Sequence, residues 1–380
     1  MPSEITTNIL SRLPFRNIII SKCVCKPWLD LIETHLSKSV PGLILHHCED
    51  QRNVFTILDF EEAVEELQQE ELRYNRITEL DVTAFISLPD QFGIRIEGSA
   101  NGLLFLRNLP NALYICNPIT REYMELPNPK EMGCYIYPTI VSYGFGVTKM
   151  SGEYKVVRIY SECVRYPRCP SFLSISKPKS ECQVYTLGTG SWRSVPPGDD
   201  TLEYDSRSVG MFLSGNFHWL VADLKGSCLI SCLNLETEVF RRLSTSTTIP
   251  ESGRFLWRLV VLGDCLCLCD NTSDDEIVIW VMKEYGVDKS WKKEFVISKI
   301  SIFAGESSKV VYPLKVFRDG DILMSGEWED DRLFYYSNKT KTTKKIDMLK
   351  LRYRGCIDAM LHTSSFVLLK SFVNENVTFF

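Results

Sequence analysis

Three residue types in this chain could carry chemistry, and their spacing limits what they can do. Cys265, Cys267 and Cys269 alternate in "GDCLCLCD". Residues two apart on a strand face the same way, whereas zinc sites place cysteines about two to four residues apart across a turn. These thiols therefore read as strand core. Cys23 and Cys25 repeat the spacing, and Cys163 and Cys169 stand too far apart to make a compelling ligand pair. The histidines are His35, His46, His47, His218 and His362. On an extended run His46 and His47 would point to opposite faces, which suits no single metal. His218, beside Trp219 in "GNFHWLV", reads as core or turn support. Gly144 and Gly146 in "YGFGVTK" begin a dinucleotide-like pattern, but the third glycine and the following helix are missing. Neither a Gly-x-Ser-x-Gly elbow nor a phosphate loop is present, and no carboxylate pair stands out. The sequence supplies no positive case for catalysis and names no cofactor.

Composition narrows the remaining classes. The chain has 380 residues, 44% hydrophobic and 24% charged, with a formal net charge of -5. That is ordinary globular composition, long enough for two or three domains or one large repeat fold plus a small one. The charge is too small to select nucleic acid as a partner. The lysine-rich run 339–345, "KTKTTKK", reads as a solvated edge protected from aggregation, since nucleic-acid binding would want interleaved aromatics and more arginine. No apolar run approaches the roughly 20 residues that span a bilayer, so no membrane partner is expected. "MPSEITTNIL" lacks a basic segment followed by an apolar one, so no secretory signal is expected. The 14 cysteines are then reduced, small hydrophobes, and the expected location is cytosol or nucleus.

The elements fall into two kinds. The first forty residues have helical spacing. Ser3 can cap a helix carrying Ile5, Ile9, Leu10 and Leu13, and Pro14 ends it. Asn17 can cap a second helix with Ile18, Ile19 and Ile20. Pro27 fits the first turn of a third, with Trp28, Leu29, Leu31 and Ile32. Below about 40 residues a domain usually needs outside help, so this tip reads as a docking element whose apolar surface is completed by a partner or by the rest of the chain. Leu58–Leu72, "LDFEEAVEELQQEEL", has the pattern of an amphipathic helix with an acidic outer face. From about Gly98 short apolar runs alternate with turns, as in "SANGLLFL", "EYKVVRIYSE", "GNFHWLVA" and "GDILMSGE". Threonines Thr189, Thr237 and Thr340, with a turn at Asp288, recur at about fifty residues, the period of kelch-type propeller blades. The expected fold is α+β and multidomain: a short N-terminal helical unit, then a mainly antiparallel β domain of five or six units. A propeller is expected, with a large β-sandwich as the alternative.

The opening "MPSEITTNILSRLPFRNIIISKCVCKPWLDLI" resembles the F-box, particularly as plants use it. The rest resembles the plant F-box-associated, kelch-like domain, through "ICNPITREYMELP", "YGFGVTKMSGEYKVVRI", "SWRSV" and "IWVMKEYGVDKSW". The resemblance divides the chain into a three-helix F-box over 1–39, a linker and first β unit over 40–97, and a kelch-like β domain over 98–380. It implies a non-catalytic substrate receptor of an SCF ubiquitin ligase. In that family the F-box docks on the Skp1 adaptor (ASK in plants), which connects to cullin and the RING subunit. The β domain holds a target protein, here unknown, near the charged E2 for ubiquitination and proteasomal degradation. Carried over residue by residue, Pro2, Ile5, Ile9, Leu13, Pro14, Val24 and Trp28 are expected to form the adaptor face or its immediate support. Met1 stands where the family has Leu, Ile20-Ser21 where Arg-Phe is common, and Pro27 where Ser is usual. Loss of the aromatic is expected to weaken the small core. Two alternatives remain open here: an adaptor-binding scaffold outside degradation, and a kelch-like propeller enzyme that would need a transition metal.

Overall fold

The computed structural model describes residues 3–13, 15–22, 24–35, 40–49, 52–60, 74–82, 94–108, 112–129, 139–162, 180–199, 202–204, 209–223, 227–245, 256–299, 310–326, 333–346, 357–372 and 376–379. Two compact units result. One comprises Met1–Asn128 and Asp347–Phe380 with the turn residues Gly188–Gly190; the other comprises Pro129–Leu187 and Ser191–Ile346.

The first unit opens with helices α1 (Ser3–Ser11), α2 (Phe15–Ser21) and α3 (Lys26–His35). Pro27 lies in the first turn of α3, where its missing N–H costs nothing. Asn17 does not cap α2: the helix starts at Phe15, and the Asn17 carbonyl accepts a 2.7 Å bond from Ser21 Oγ inside it. Then come strands β1 (Val40–Glu49), β2 (Arg52–Phe60) and β3 (Tyr74–Asp81), followed by β4 (Ile94–Ala100), β5 (Leu103–Asn108), β6 (Ala112–Asn117) and β7 (Glu122–Glu125). Leu58, Asp59 and Phe60 are the end of β2 rather than the start of a helix, and 61–72 lies outside the described residues. The expected boundary at 97/98 falls within β4.

The first sheet runs β25-β1-β2-β3, in which β25 (Ile357–Ser364) comes from the far end of the chain. The second runs β26-β7-β6-β5-β4, with β26 (Thr378–Phe379) on its outer edge. One hydrophobic core joins Leu10, Ile18 and Ile32 of the helices to Ile44, Phe55, Ile57, Ile77, Leu80, Ile94 and Ile96 of these sheets. The apolar run of the tip is thus partly explained by packing on its own chain.

The second unit contains four more antiparallel sheets. They are β8–β11 (within 139–195), β12–β16 (within 203–244), β17–β20 (within 257–298) and β21–β24 (within 311–345). In each the strands follow chain order, apart from β13, which pairs beside β12 on β14. Burial follows strand position. The second strands β18 (Cys265–Asp270) and β22 (Ile322–Gly326) are buried almost throughout, whereas the outermost β16 (Phe240–Ser244) and β24 (Thr342–Lys345) bury one residue each. A sheet covered on both faces needs continuous apolar sequence in its middle strands. That is why "CLCLC" and "ILM" do not alternate with polar residues.

The outer hairpin turns share one device. Arg121, Glu238 and Lys341 all have left-handed backbone, with φ of 59°, 57° and 57°, and each follows a threonine. Asn117 Oδ1 accepts from the Ile119 N–H at 2.9 Å, and Asn234 Oδ1 accepts from the Thr237 N–H at 2.8 Å. The first is an Asx turn and the second reaches one residue further; in both a side chain replaces a backbone partner. The recurring threonines of the sequence are the third members of this turn.

A candidate docking face on the N-terminal helices

Helix α1 is two-faced. Thr6 and Leu10, one turn apart, point inward and are buried. Ile5 and Ile9, also one turn apart, are 51% and 47% exposed. Side chains four apart stand above one another on a helix, so the two isoleucines form a short apolar ridge turned away from the shared core. Helix α2 repeats the division. Ile18 is fully buried, Ile19 packs partly against the core, and Ile20 is 58% exposed. Val24, in the turn after α2, is 60% exposed. Four aliphatic side chains thus remain in solvent on a unit whose core is already closed by Leu10, Ile18 and Ile32. Scattered single apolar residues are normal on a surface, but four within the first twenty-four residues, two of them paired on α1, make this unit a candidate interaction site.

The residues expected from the sequence divide accordingly. Ile5, Ile9 and Val24 are presented to solvent, whereas Leu13 and Trp28 pack partly against the core and stand beneath the surface. Pro2 and Pro14 lie outside the described residues. Ile20, which sequence reasoning placed in the helix without a role, joins the exposed set. The helical period assigns Ile20 to the side away from Ile18, and that was the available signal. Exposed charges surround the apolar residues: Glu4 and Arg12 on and after α1, Lys26 and Asp30 on α3.

Elsewhere the chemistry-bearing residues are in packing roles. Cys267 and Cys269 are fully buried, and burial pushes both thiols up to about 12. Cys269 Sγ donates to the Val311 carbonyl at 3.2 Å. Gly144 and Gly146 lie in β8 (Thr139–Val147), where an added Cβ would come within 2.9 Å of the Phe217 ring and 2.8 Å of the Phe212 ring. They admit a neighbouring sheet rather than a dinucleotide. His218 is fully buried in β14 (Asn216–Ala222). Its Nδ1–H donates to the Met211 carbonyl at 3.1 Å, so Nε2 accepts from the Tyr285 hydroxyl at 2.7 Å. Arg241 Nη2 donates to the same hydroxyl at 2.9 Å, and Arg241 Nε donates to Cys232 Sγ at 3.4 Å. Burial lowers His218 to about 4, so it stays a neutral link in this chain. The sequence offered no sign of the Tyr285 contact, because His218 is on β14 and Tyr285 is in the turn after β19 (Glu276–Met282), far along the chain. Among the described residues, no three His, Cys, Asp or Glu side chains come together as metal ligands.

Comparison with known families decides what this arrangement is. Residues 1–39 match the F-box domain, and residues 43–372 match the F-box associated beta propeller domain. The chain belongs to the F-box proteins with an F-box-associated β-propeller. The six sheets of the described residues fall almost entirely within the match to that propeller domain. The F-box protein At3g07870 of Arabidopsis thaliana is 30% identical, over 89% of this chain and 85% of its own length. The F-box protein CPR1 of the same plant is 26% identical over 97% and 89%. The F-box/kelch-repeat protein At3g23880 is 25% identical over 80% and 81%. F-box proteins bind Skp1-type adaptors and are generally non-catalytic. No helix among the described residues is long and apolar enough to cross a membrane.

Proposed function

We propose that this F-box protein is the substrate receptor of an SCF ubiquitin ligase. It docks a Skp1-type adaptor, and through it cullin and the RING subunit, by way of Ile5, Ile9, Ile20 and Val24, with Leu13 and Trp28 supporting them. Pro2 and Pro14 keep their place in this face by resemblance to the family. The carrying observation is that the F-box has a closed inner core and still leaves four aliphatic side chains in water. Burying each exposed aliphatic side chain against an adaptor is worth up to about 1.5–3 kcal/mol. The receptor supplies no reacting group. Its contribution is proximity, raising the effective concentration of a target's lysines at the E2 thioester.

Target recognition is assigned to the propeller. The segments between β9 (Tyr154–Glu162) and β10 (Ser180–Thr186) and after β11 (Trp192–Val195) leave the β8–β11 sheet at the end opposite its two tight turns. They fall in the stretches 161–181 and 196–209, whose sequences carry no decodable recognition pattern; 163–179, 200–201 and 205–208 lie outside the described residues. The test is co-purification with adaptor and cullin from cells, in the presence and absence of a proteasome inhibitor. Proteins that accumulate on the wild-type receptor only under inhibition are its targets. A receptor that binds adaptor but stabilises none of its bound proteins under inhibition is a scaffold, and the degradation role is then wrong.

A further inference from the structure

The last long strand of the chain lies beside the first. β25 pairs with β1 from Val40↔Ser364 to His47↔Ile357, so the sheet under the N-terminal helices is finished by the C-terminal end. Beyond β25 a strap, Ser365–Ser371, is tied to the second sheet of the same unit. Asn117, fully buried at the end of β6, donates from Nδ2 to the carbonyls of Ser365 and Val367 at 3.2 and 2.7 Å. Glu122 Oε2, on β7, accepts the Leu369 N–H at 2.6 Å. Ser365 Oγ donates to the Asn101 carbonyl at 2.6 Å, and a Cβ at Gly102 would stand 1.9 Å from Ser365 Oγ. Phe366, in the middle of the strap, is buried in the same core as Leu10, Ile18 and Ile32, and Lys22 at the end of α2 holds Nζ 5.2 Å from its ring centroid.

The helices alone are too short to bury Leu10, Ile18 and Ile32 completely. Their cover is the β1–β3 sheet, β4 and Phe366. We propose that the F-box of this chain becomes competent to dock only after β25 and the strap are seated, so that its presentation is conditional on residues 357–371. Synthesis order gives this its consequence. The helices emerge well before the strand and ring that finish their platform. A chain ending before Ile357 carries a whole F-box sequence with no finished surface to pack on. Such a chain is withheld from the adaptor and cannot occupy a ligase with an incomplete propeller. The inference rests on α1–α3 being the adaptor-docking unit, but its first test does not.

That test is hydrogen exchange on the full chain carrying Asn117→Asp. The substitution keeps the Oδ1 acceptor of the turn and removes the two donors that hold the strap. The expected result is that peptides of α1–α3 exchange faster together with β25, by about tenfold or more, while β17–β20 is unchanged. Leu369→Ala, which keeps the N–H bonded to Glu122 but truncates a fully buried side chain of the strap, is expected to give the same pattern. Faster exchange in 357–371 with unaltered α1–α3 overturns the proposal. The second test is binding of purified Skp1-type adaptor to the same full-length Asn117→Asp chain. Weaker binding than that of the unaltered chain is expected, and equal binding overturns the conditional F-box. If the full chain itself does not bind adaptor while the exchange coupling is present, the docking assignment fails and the coupling stands.

Discussion

Replacing Ile9 by Asp separates docking from folding. Ile9 is 47% exposed, so about half of its surface is left for a partner to cover. Full burial of such a side chain is worth about 1.5–3 kcal/mol, which gives roughly 0.7–1.4 kcal/mol for the exposed half. An unpaired Asp in the same place must also lose water, at about 1–3 kcal/mol. The sum is about 2–4 kcal/mol, an affinity loss of about 30- to 1,000-fold for adaptor. In the free protein the carboxylate stays in solvent. The folding penalties are loss of the half of Ile9 already covered, about 0.8–1.6 kcal/mol by the same measure, and a negative charge in the last turn of α1 opposing the helix dipole, about 0.3–1 kcal/mol. The neighbouring Leu10→Ala variant is the control. Leu10 is fully buried, and its truncation is expected to cost about 2–5 kcal/mol of folding stability. Titration calorimetry with purified adaptor and thermal melts of both variants read the two quantities. The reasoning is refuted if Ile9→Asp keeps adaptor affinity within about threefold, or melts as low as Leu10→Ala.

Gly144→Ala places a methyl 2.9 Å from the ring of Phe217, which is fully buried and cannot retreat; a stability loss of about 1–3 kcal/mol is expected by urea titration, partly restored by Phe217→Leu. His218 and His362 are each lowered to about 4 by burial. The unfolded chain takes up protons near pH 6.5 that the folded one refuses, so stability is intact above that value and is lost as pH falls toward 4. His362→Gln is expected to reduce the slope of stability against pH in that window by up to about 1.4 kcal/mol per unit, measured by denaturant titration at stepped pH. Native alkylation followed by mass spectrometry is expected to modify exposed Cys25 and leave Cys267 and Cys269 untouched until the chain is unfolded. Equal labelling of all three would contradict their burial.

The β architecture was legible because several sheets repeat the same signals: a continuous apolar middle strand, a tight turn before it, and in the β4–β7, β8–β11, β12–β16 and β21–β24 sheets a threonine in the turn before the outer strand. "CLCLC" could be placed on a strand and in the core without knowing its neighbours, since apolar residues on both faces require cover on both faces. The Thr237 and Thr340 turns were visible from spacing, and the left-handed residue after each is what makes that spacing recur. Helical period put Ile5 and Ile9 one turn apart on one ridge, and the family resemblance, not the period, marked that ridge as the docking face. What was not legible was long-range. Nothing in "IDAMLHTS" says that β25 pairs with β1, since any alternating strand could do so, and register is set by the sheet rather than by the strand. The tie from Asn117 to the strap, and the Tyr285 contact of His218, likewise join residues that have no local relation. The acidic pattern at 58–72 began with three residues that belong to β2, because a short apolar run fits either period.

The departure at Ile20-Ser21 explains why this F-box leans on its propeller. The family places an aromatic where Ser21 stands, and an aromatic would give three short helices much of a core of their own. Ser21 is buried here, and its hydroxyl donates to the Asn17 carbonyl one turn back. A hydrogen bond of this kind is worth about 1 kcal/mol net, less than the burial of an aromatic ring. The missing apolar volume is supplied from outside the helices by Ile77, Leu80, Val82 and Phe366, which share one cluster with Leu10, Ile18 and Ile32. Ile20, meanwhile, points outward and adds nothing to that core. The helices of this chain are therefore not self-sufficient, and a peptide of residues 1–39 is expected to show little helix by circular dichroism and no cooperative melt. Ser21→Phe in that peptide is expected to raise its helicity if the deficit is apolar volume. A wild-type peptide that melts cooperatively would show that the propeller is not needed to hold the F-box together.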